Sequence, residues 1–143
     1  MRDESRLWAA LQRHMGYTDE QMEKFRADPM RVKMVRDTPQ FNTHRIIAEV
    51  IHSENCHAQH KVGDKLIMNG NGQFLTELCP PKICVWAAAA LGAPVNVIFD
   101  RFVSQLDPND MLFNVVQCGD IGLECGGWGK ILMKVRDEGP EER

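Results

Sequence analysis

The first forty residues place apolar side chains at helical spacing. A capping-box pattern at Thr18 and Gln21 marks the start of a second helix, because the Thr18 hydroxyl accepts an amide hydrogen bond while Gln21 reaches back. A third helix is predicted over residues 30–36, ending before Pro39, which has no amide to donate. The first helix carries Leu7, Trp8 and Leu11 at this spacing. These patterns predict a helical extension over residues 1–40.

Beyond residue 43 the pattern becomes that of short strands and two helices. Residues 69–72 form a double Asn-Gly signal, and such pairs accept the positive φ angles of a tight hairpin turn. Pro80-Pro81 suits the first turn of a helix, where an amide has no helical partner. The predicted strands cover residues 44–52, 64–68, 73–77, 111–118 and 130–136, and the predicted helices cover 82–91 and a segment opened by Pro94. A helix through residues 44–52 is the alternative to the first strand.

The order of these elements predicts an α+β fold. A helical N-terminal extension precedes a small, mostly antiparallel sheet of four to five strands, with a helical pair as its crossover. We expect a helical extension at 1–40, a cysteine-containing α+β body at 41–137, and a frayed, charged tail at 138–143.

Composition and charge narrow the classes of function. The chain has 143 residues, 43% of them hydrophobic and 26% charged, which is typical of a globular domain with a core. Its net charge of −3 gives no electrostatic footprint for nucleic acid. No apolar run approaches the roughly 20 residues that span a bilayer, and the acidic start, MRDESRLW, is unlike a signal peptide. We therefore expect a cytoplasmic protein that binds neither nucleic acid nor membrane.

Five cysteines are the most distinctive chemistry of the chain. Their number is odd and the expected compartment is reducing, so a disulfide framework is not expected. They lie at Cys56, Cys79, Cys84, Cys118 and Cys125, all in the predicted body. Cys56 and Cys118 each close a predicted strand, and two strands of one sheet would bring these ends together.

A metal site is one interpretation of these cysteines. Thiolates are ligands that zinc and iron centres prefer, and the stretch Cys56-His57-Ala58-Gln59-His60 offers His57 or His60 as a mixed ligand. The cysteine spacings are less specific. Four residues separate positions 79 and 84, and six separate 118 and 125, whereas zinc knuckles space their cysteines by two.

A reactive thiol is the second interpretation. Cys84 is expected in the first turn of a helix, where the helix dipole stabilises a thiolate. His60, or else His57, would act as its base, and Asp64 or Asp120 would orient that histidine. The third interpretation is that the cysteines are buried and chemically inert.

Residues 44–136 resemble a family of small, functionally uncharacterised prokaryotic proteins. The shared pattern is a cysteine shortly before Gly-Asp, a Cys-x-x-Ala at a helix start and a Cys-x-Asp closing a late strand. In this chain it falls on Cys56, Gly63-Asp64, Cys84-Val85-Trp86-Ala87 and Cys118-Gly119-Asp120. In the family pattern a glycine follows this aspartate, whereas here Ile121 separates Asp120 from Gly122. The glycine-rich loop and the helical extension lie outside the pattern. The resemblance implies that its three cysteines matter more than the other two, and it implies no established activity.

These observations predict a small cytoplasmic metal- or thiol-centred protein, an accessory subunit or ligand-binding component of a larger enzyme system. Its centre would hold zinc or iron on Cys56, Cys84 and Cys118, with His60 or His57 as a further ligand. The alternatives are a small cysteine- or metal-dependent enzyme acting on a small organic molecule, and a structural interaction module. The N-terminal helices would bind a second copy or a partner protein, and a small-molecule ligand is also expected.

Overall fold

The computed structural model describes residues 3–140 and divides them into two units, one ending at Phe41 and the other beginning at Asn42. Within these residues, the first unit contains three α-helices, and the second contains two α-helices and a four-stranded antiparallel sheet. The predicted α+β class, with N-terminal helices preceding the sheet, is therefore confirmed. No helix among residues 3–140 is long and apolar enough to cross a bilayer.

The first unit consists of α1 (Glu4–Met15), α2 (Asp19–Arg26) and α3 (Pro29–Phe41). The predicted capping box opens α2: the Gln21 amide donates to the Thr18 hydroxyl over 3.2 Å, and the Thr18 amide donates to the Gln21 side chain over 2.9 Å. Gly16 ends α1 with a φ of 70°, a left-handed conformation that glycine adopts without steric cost.

The apolar side chains of the N-terminal helices, which the sequence suggests as a partner surface, pack together in the core of the first unit. Trp8 is buried and meets Phe25 edge to face, with 6.3 Å between ring centroids. Leu7 and Leu11 pack against the same cluster, which also contains buried Met22. These helices therefore use their apolar face to stabilise their own unit, and a partner surface on them stays a prediction.

The predicted end of α3 before Pro39 is wrong, because the helix continues to Phe41. Proline keeps a φ close to the helical value and removes a single amide donor from the ladder. The neighbouring Thr38 hydroxyl donates to the Met34 carbonyl over 2.6 Å, which adds a side-chain hydrogen bond at this turn.

Strands β1 (His44–Glu54), β2 (Lys65–Asn69), β3 (Val115–Gln117) and β4 (Lys130–Pro140) form the sheet of the second unit. Their order is β2-β1-β4-β3, and each neighbouring pair is antiparallel. Alternate residues of β4 face the core, so Met133 and Val135 are buried while Lys134 between them is exposed. The two long strands thus form the centre of the sheet.

A helical pair connects β2 to β3, which lie at opposite edges of the sheet. Helix α4 spans Val85–Ala90 and α5 spans Gly92–Val103, as the predicted crossover requires. Their buried face includes Ala87, Leu91 and Ile98. Short 3₁₀ turns at Thr76–Leu78 and Leu123–Cys125 precede α4 and β4, respectively.

The predicted return strand at residues 73–77 is wrong. Beyond the Asn-Gly turn, only one bridge forms, between Met68 and Phe74, before the chain enters the first 3₁₀ turn. The Ile67 amide on this edge of β2 donates to the sulfur of Cys79 over 3.2 Å. A cysteine side chain therefore takes a hydrogen bond that a longer return strand would have taken.

Two further strand boundaries differ from the prediction. Strand β3 is shorter than the predicted 111–118, and Leu112 and Phe113 are 87% and 81% exposed. Strand β4 continues to Pro140, which pairs with His44, so residues 138–140 of the predicted frayed tail belong to the sheet. Residues 141–143 of that tail lie outside the described residues.

The alternation along β4 gives a direct stability test. Met133→Ala should destabilise the protein by about 2–5 kcal/mol, because truncation leaves a cavity at a fully buried site. The matched control, Lys134→Ala on the exposed face, should change stability by about 0.5 kcal/mol or less. Urea unfolding measures both values, and equal losses for the two variants would contradict the register of β4.

Candidate thiol site

The strand order places two cysteine-bearing segments at one end of the sheet. Strands β1 and β3 both pair antiparallel with β4, so both end where β4 begins. The loop after β1 carries Cys56, and Cys118 directly follows β3. The ends of these two strands therefore converge as expected.

A small cavity lies where these segments meet the start of α4. Its volume is about 50 Å3, and its lining includes the side chains of Cys56, Cys84, Cys118, His57, His60 and Asp120. A water molecule takes roughly 30 Å3 in the liquid, so the cavity has room for an ion or very few waters. Three cysteines that are distant in sequence thus line one narrow space.

Cys84 is the residue immediately before α4, where it forms the N-cap without a side-chain cap hydrogen bond. The expected position in the first turn is therefore corrected by one residue. Helix α4 has six residues. The predicted stabilisation of a Cys84 thiolate would therefore come from the dipole of a short helix.

His60 links the loop after β1 to the start of α4. Its ring is 4% exposed, and its Nε2 accepts a hydrogen bond from the Cys84 amide over 3.3 Å. The Ser53 hydroxyl donates to the His60 carbonyl over 2.6 Å. This hydrogen bond engages the lone pair of Nε2. His60 therefore holds Cys84 in place by its backbone, and Nε2 does not face the thiol as a free base.

Cys118 is fixed to β4 by both its backbone and its sulfur. Its amide donates to the Ile131 carbonyl over 3.1 Å, which extends the β3–β4 pairing by one residue. The Ile131 amide lies 3.4 Å from the Cys118 sulfur, which accepts its hydrogen bond. Amide hydrogen bonds to sulfur are one of the means by which proteins tune thiolate centres.

The loop that carries Cys56 has an unusual backbone. Asn55 and Gln59, on either side of Cys56, have φ angles of 51° and 61°. The left-handed region is costly for residues with a Cβ, although asparagine tolerates it better than glutamine. The Gln59 amide donates to the Cys56 carbonyl over 3.0 Å and closes this turn. Such strain is most often retained where the surrounding structure holds a functional loop in place.

Asp120 stabilises the glycine-rich loop and does not orient a histidine by hydrogen bonding. Its carboxylate accepts hydrogen bonds from the amides of Gly122, Trp128 and Gly129 over 2.9, 3.1 and 3.4 Å. The Gly122 amide contributes most to holding the pKa of this carboxyl below its ordinary 3.8, with smaller contributions from the other amides and from His57. Partial desolvation acts in the opposite direction. The predicted orienting role of Asp120 therefore lacks a hydrogen-bond partner on His60.

The other predicted site residues lie at the rim or outside the cavity. His57 stacks on Trp128, with 4.6 Å between ring centroids and 14° between planes. Asp64 lies outside the lining, and its carboxylate accepts the Lys61 amide over 2.9 Å in the turn before β2. Of the five cysteines, Cys79 and Cys125 also lie outside the lining, and Cys125 is exposed.

The glycine-rich loop contributes more than sequence reasoning assigned to it. Gly129 is buried against the carbonyls of Glu54 and Asn55, where a Cβ would collide with both. Gly127 similarly leaves no room for a Cβ beside the Asp120 carboxylate. The sequence signal was the close spacing of Gly126-Gly127-Trp128-Gly129, which matches no nucleotide-binding motif but allows this close backbone approach.

Among residues 3–140, no group of three or more His, Cys, Asp or Glu side chains is arranged so that it could hold a metal ion. All five cysteines are free. Comparison with protein-family models, curated proteins and solved structures finds no match to this chain. The cavity is therefore the feature of this chain that bears on its function.

Asp120 gives a prediction with a defined pH dependence. Asp120→Ala should lower the melting temperature at neutral pH and speed amide exchange at Gly122, Trp128 and Gly129, whose hydrogen bonds it removes. Because the pKa of Asp120 is lowered by folding, the stability that it contributes is present above pH 3.8 and is lost as pH falls through the folded pKa.

The melting-temperature difference between the wild type and Asp120→Ala should therefore shrink as pH falls below 3.8. Glu124→Ala, at an exposed acid in the same loop, serves as the control and should leave the exchange rates unchanged. A pH-independent difference for Asp120→Ala would be inconsistent with a stabilising carboxylate.

The junction between the glycine-rich loop and β1 gives a second prediction. Gly129→Ala should destabilise the protein by about 1–3 kcal/mol, because the backbone carbonyls that a Cβ would meet cannot rotate away. Gly92→Ala is the control, since a Cβ there meets nothing within 4 Å and glycine is a poor helix former. Thermal unfolding that ranks Gly92→Ala as the less stable variant would refute this packing.

Proposed function

We propose that residues 42–140 form a thiol-centred binding domain in which Cys56, Cys84 and Cys118 capture one soft metal ion, zinc or iron. The observation that carries the proposal is their convergence on one cavity of about 50 Å3. Thiolates bind these ions strongly, and binding itself drives the loss of the thiol protons. The narrow cavity has room for an ion.

We propose that side-chain rotation gathers the three sulfurs around the ion. Each cysteine of the cavity is partly exposed, and each sulfur turns about a single χ1 bond. The backbones that carry them are held by the His60–Cys84 and Cys118–Ile131 hydrogen bonds. Metal binding would therefore reorganise sulfur atoms within a frame that is already in place.

The two histidines have different roles in this proposal. Nε2 of His60 is engaged by the Cys84 amide, so His60 acts as a positioning residue. His57 is exposed at the rim and stacks on Trp128, where a rotation would be needed to present a nitrogen. Three thiolates would leave the fourth position of a zinc ion open. His57 or an external ligand would fill it, as water or substrate does in catalytic zinc sites.

An open position favours the role of a ligand-binding component or accessory subunit in a cytoplasmic enzyme system. The free cysteines suit a reducing compartment. An oligomer or partner contact through the N-terminal helices would use polar or half-buried positions, because their main apolar cluster is internal.

A second candidate function is a cysteine-dependent enzyme built on Cys84. The favouring observation is the hydrogen bond between the Cys84 amide and His60, a residue that also lines a neighbouring groove. Neither Asp64 nor Asp120 hydrogen-bonds to the His60 ring, so a complete acid–base set is not assembled. We therefore rank this function below metal binding.

Elemental analysis tests the proposal. The protein, purified without chelators and without a histidine tag, should carry about one zinc or iron per chain. Cys56→Ser, Cys84→Ser and Cys118→Ser should each weaken metal binding more than the roughly 10–100-fold that loss of an outer-shell partner costs. Cys125→Ser is the matched control at an exposed cysteine outside the cavity and should retain the metal.

The alternative results separate the candidate functions. Absence of metal together with one thiol that reacts fast near neutral pH would favour the cysteine-dependent enzyme. Absence of metal with slow thiols throughout would contradict both. Equal metal loss in Cys125→Ser would show that the ion binds elsewhere.

A further inference from the structure

A second, larger depression lies beside the thiol cavity. It is an open groove of about 960 Å3, within the size range of sites for small organic molecules. The groove and the cavity share His57, Ala58 and His60 in their linings. A molecule in the groove would therefore lie next to the space enclosed by the three cysteines.

The charged side chains of the groove are mainly basic. Lys61, Lys65 and Lys82 line it, opposed by the single carboxylate of Asp64. Asp64 already accepts the Lys61 amide. Lys65 is 3.9 Å from Glu49, whereas neither Lys61 nor Lys82 has an ion pair within the part of the chain that the structure describes. This excess of positive charge occurs in a chain whose net charge is −3.

One wall of the groove is apolar. It is formed by Ile67, Leu78, Pro80 and Pro81, and Leu78 is 40% exposed. A ligand that carries only charge would leave this wall in contact with water. The combination instead suits a molecule with an anionic head and an apolar body.

We propose that this groove binds a small organic anion, a carboxylate or a phosphate ester, whose head contacts Lys61 and Lys82 and whose body covers the apolar wall. The inference names the ligand class of the proposed function and rests on it for the assumption that the adjoining thiol cavity is a working site. Bound there, the anion would lie beside His57 and His60, which also line the thiol cavity.

Backbone NMR titration in low-salt buffer tests the proposal with defined probes. Benzoate and phenyl phosphate carry the two candidate heads on one apolar body, benzamide is the uncharged analogue, and inorganic phosphate lacks the body. We expect benzoate or phenyl phosphate to shift amides of residues 57–65 and 78–82, and to bind more tightly than benzamide and inorganic phosphate. Whichever head binds more tightly identifies the source of the anionic group.

Charge reversal locates the site. Lys61→Glu and Lys82→Glu should each weaken binding about tenfold, because an attractive charge becomes repulsive at short range. Lys134→Glu is the matched control, since it makes the same charge change at an exposed position outside the groove. In a repeat of the titrations at about 0.1 M salt, where distant charges are screened, the effect of Lys134→Glu should stay within about twofold.

The outcomes distinguish this inference from the metal proposal. Binding that persists in Cys118→Ser, whatever its metal content, supports an anion site that stands on its own residues. Failure of benzoate and phenyl phosphate to bind a wild-type protein that retains its metal overturns the inference and leaves the thiol site intact. Binding of benzoate and phenyl phosphate that is no tighter than that of benzamide also overturns it, as does binding that Lys134→Glu weakens as much as Lys61→Glu and Lys82→Glu do.

Discussion

The pairing of β4 with a neighbour on each side is the constraint on which the candidate site depends. Because β1 and β3 are both antiparallel to β4, backbone hydrogen bonds alone bring their ends to the start of β4. Cys56 and Cys118 are neighbours for that reason and not because of any attraction between sulfurs. The helical crossover then brings Cys84 to the same end, where the His60 ring receives its amide.

Backbone groups, more than side-chain pairs, fix the geometry around the thiols. His60 accepts an amide, Asp120 accepts three amides of the glycine-rich loop, and Gly129 lies against backbone carbonyls. Polar groups satisfied in this way are costly to displace, so the loops form a rigid frame. The sulfurs themselves are only lightly engaged: that of Cys118 accepts one amide hydrogen bond.

The fold class followed from periodicity because helices and strands leave different spacings of apolar residues. The hairpin at 69–77 could not be predicted in full, since the partner of the Ile67 amide is the sulfur of Cys79, ten residues beyond Asn69. The predicted strand over residues 111–114 is wrong for another reason. Their apolar side chains suggest a buried strand, yet Leu112 and Phe113 face solvent.

The candidate site was predictable to the extent that it follows from strand ends. Cys56, Cys84 and Cys118 line one cavity, while Asp64 lies outside it, and the greater importance that the resemblance gives these cysteines stays a prediction. The sequence could not separate the roles of the two histidines. His60 accepts a hydrogen bond from the Cys84 amide, whereas the ring of His57 stacks on Trp128. The sequence also did not predict the basic groove, because Lys82 joins Lys61 and Lys65 in its lining only through folding.

Reaction with arsenite tests the convergence of the three thiols most directly. One arsenic(III) condenses with three thiols, forming three As–S bonds and releasing three water molecules, which requires all three sulfurs at one place. The account predicts one arsenic per native chain, with peptides of Cys56, Cys84 and Cys118 joined in the digest and Cys79 and Cys125 still free to alkylate. A native protein that binds no arsenic, or joins Cys79 or Cys125 instead, would contradict it.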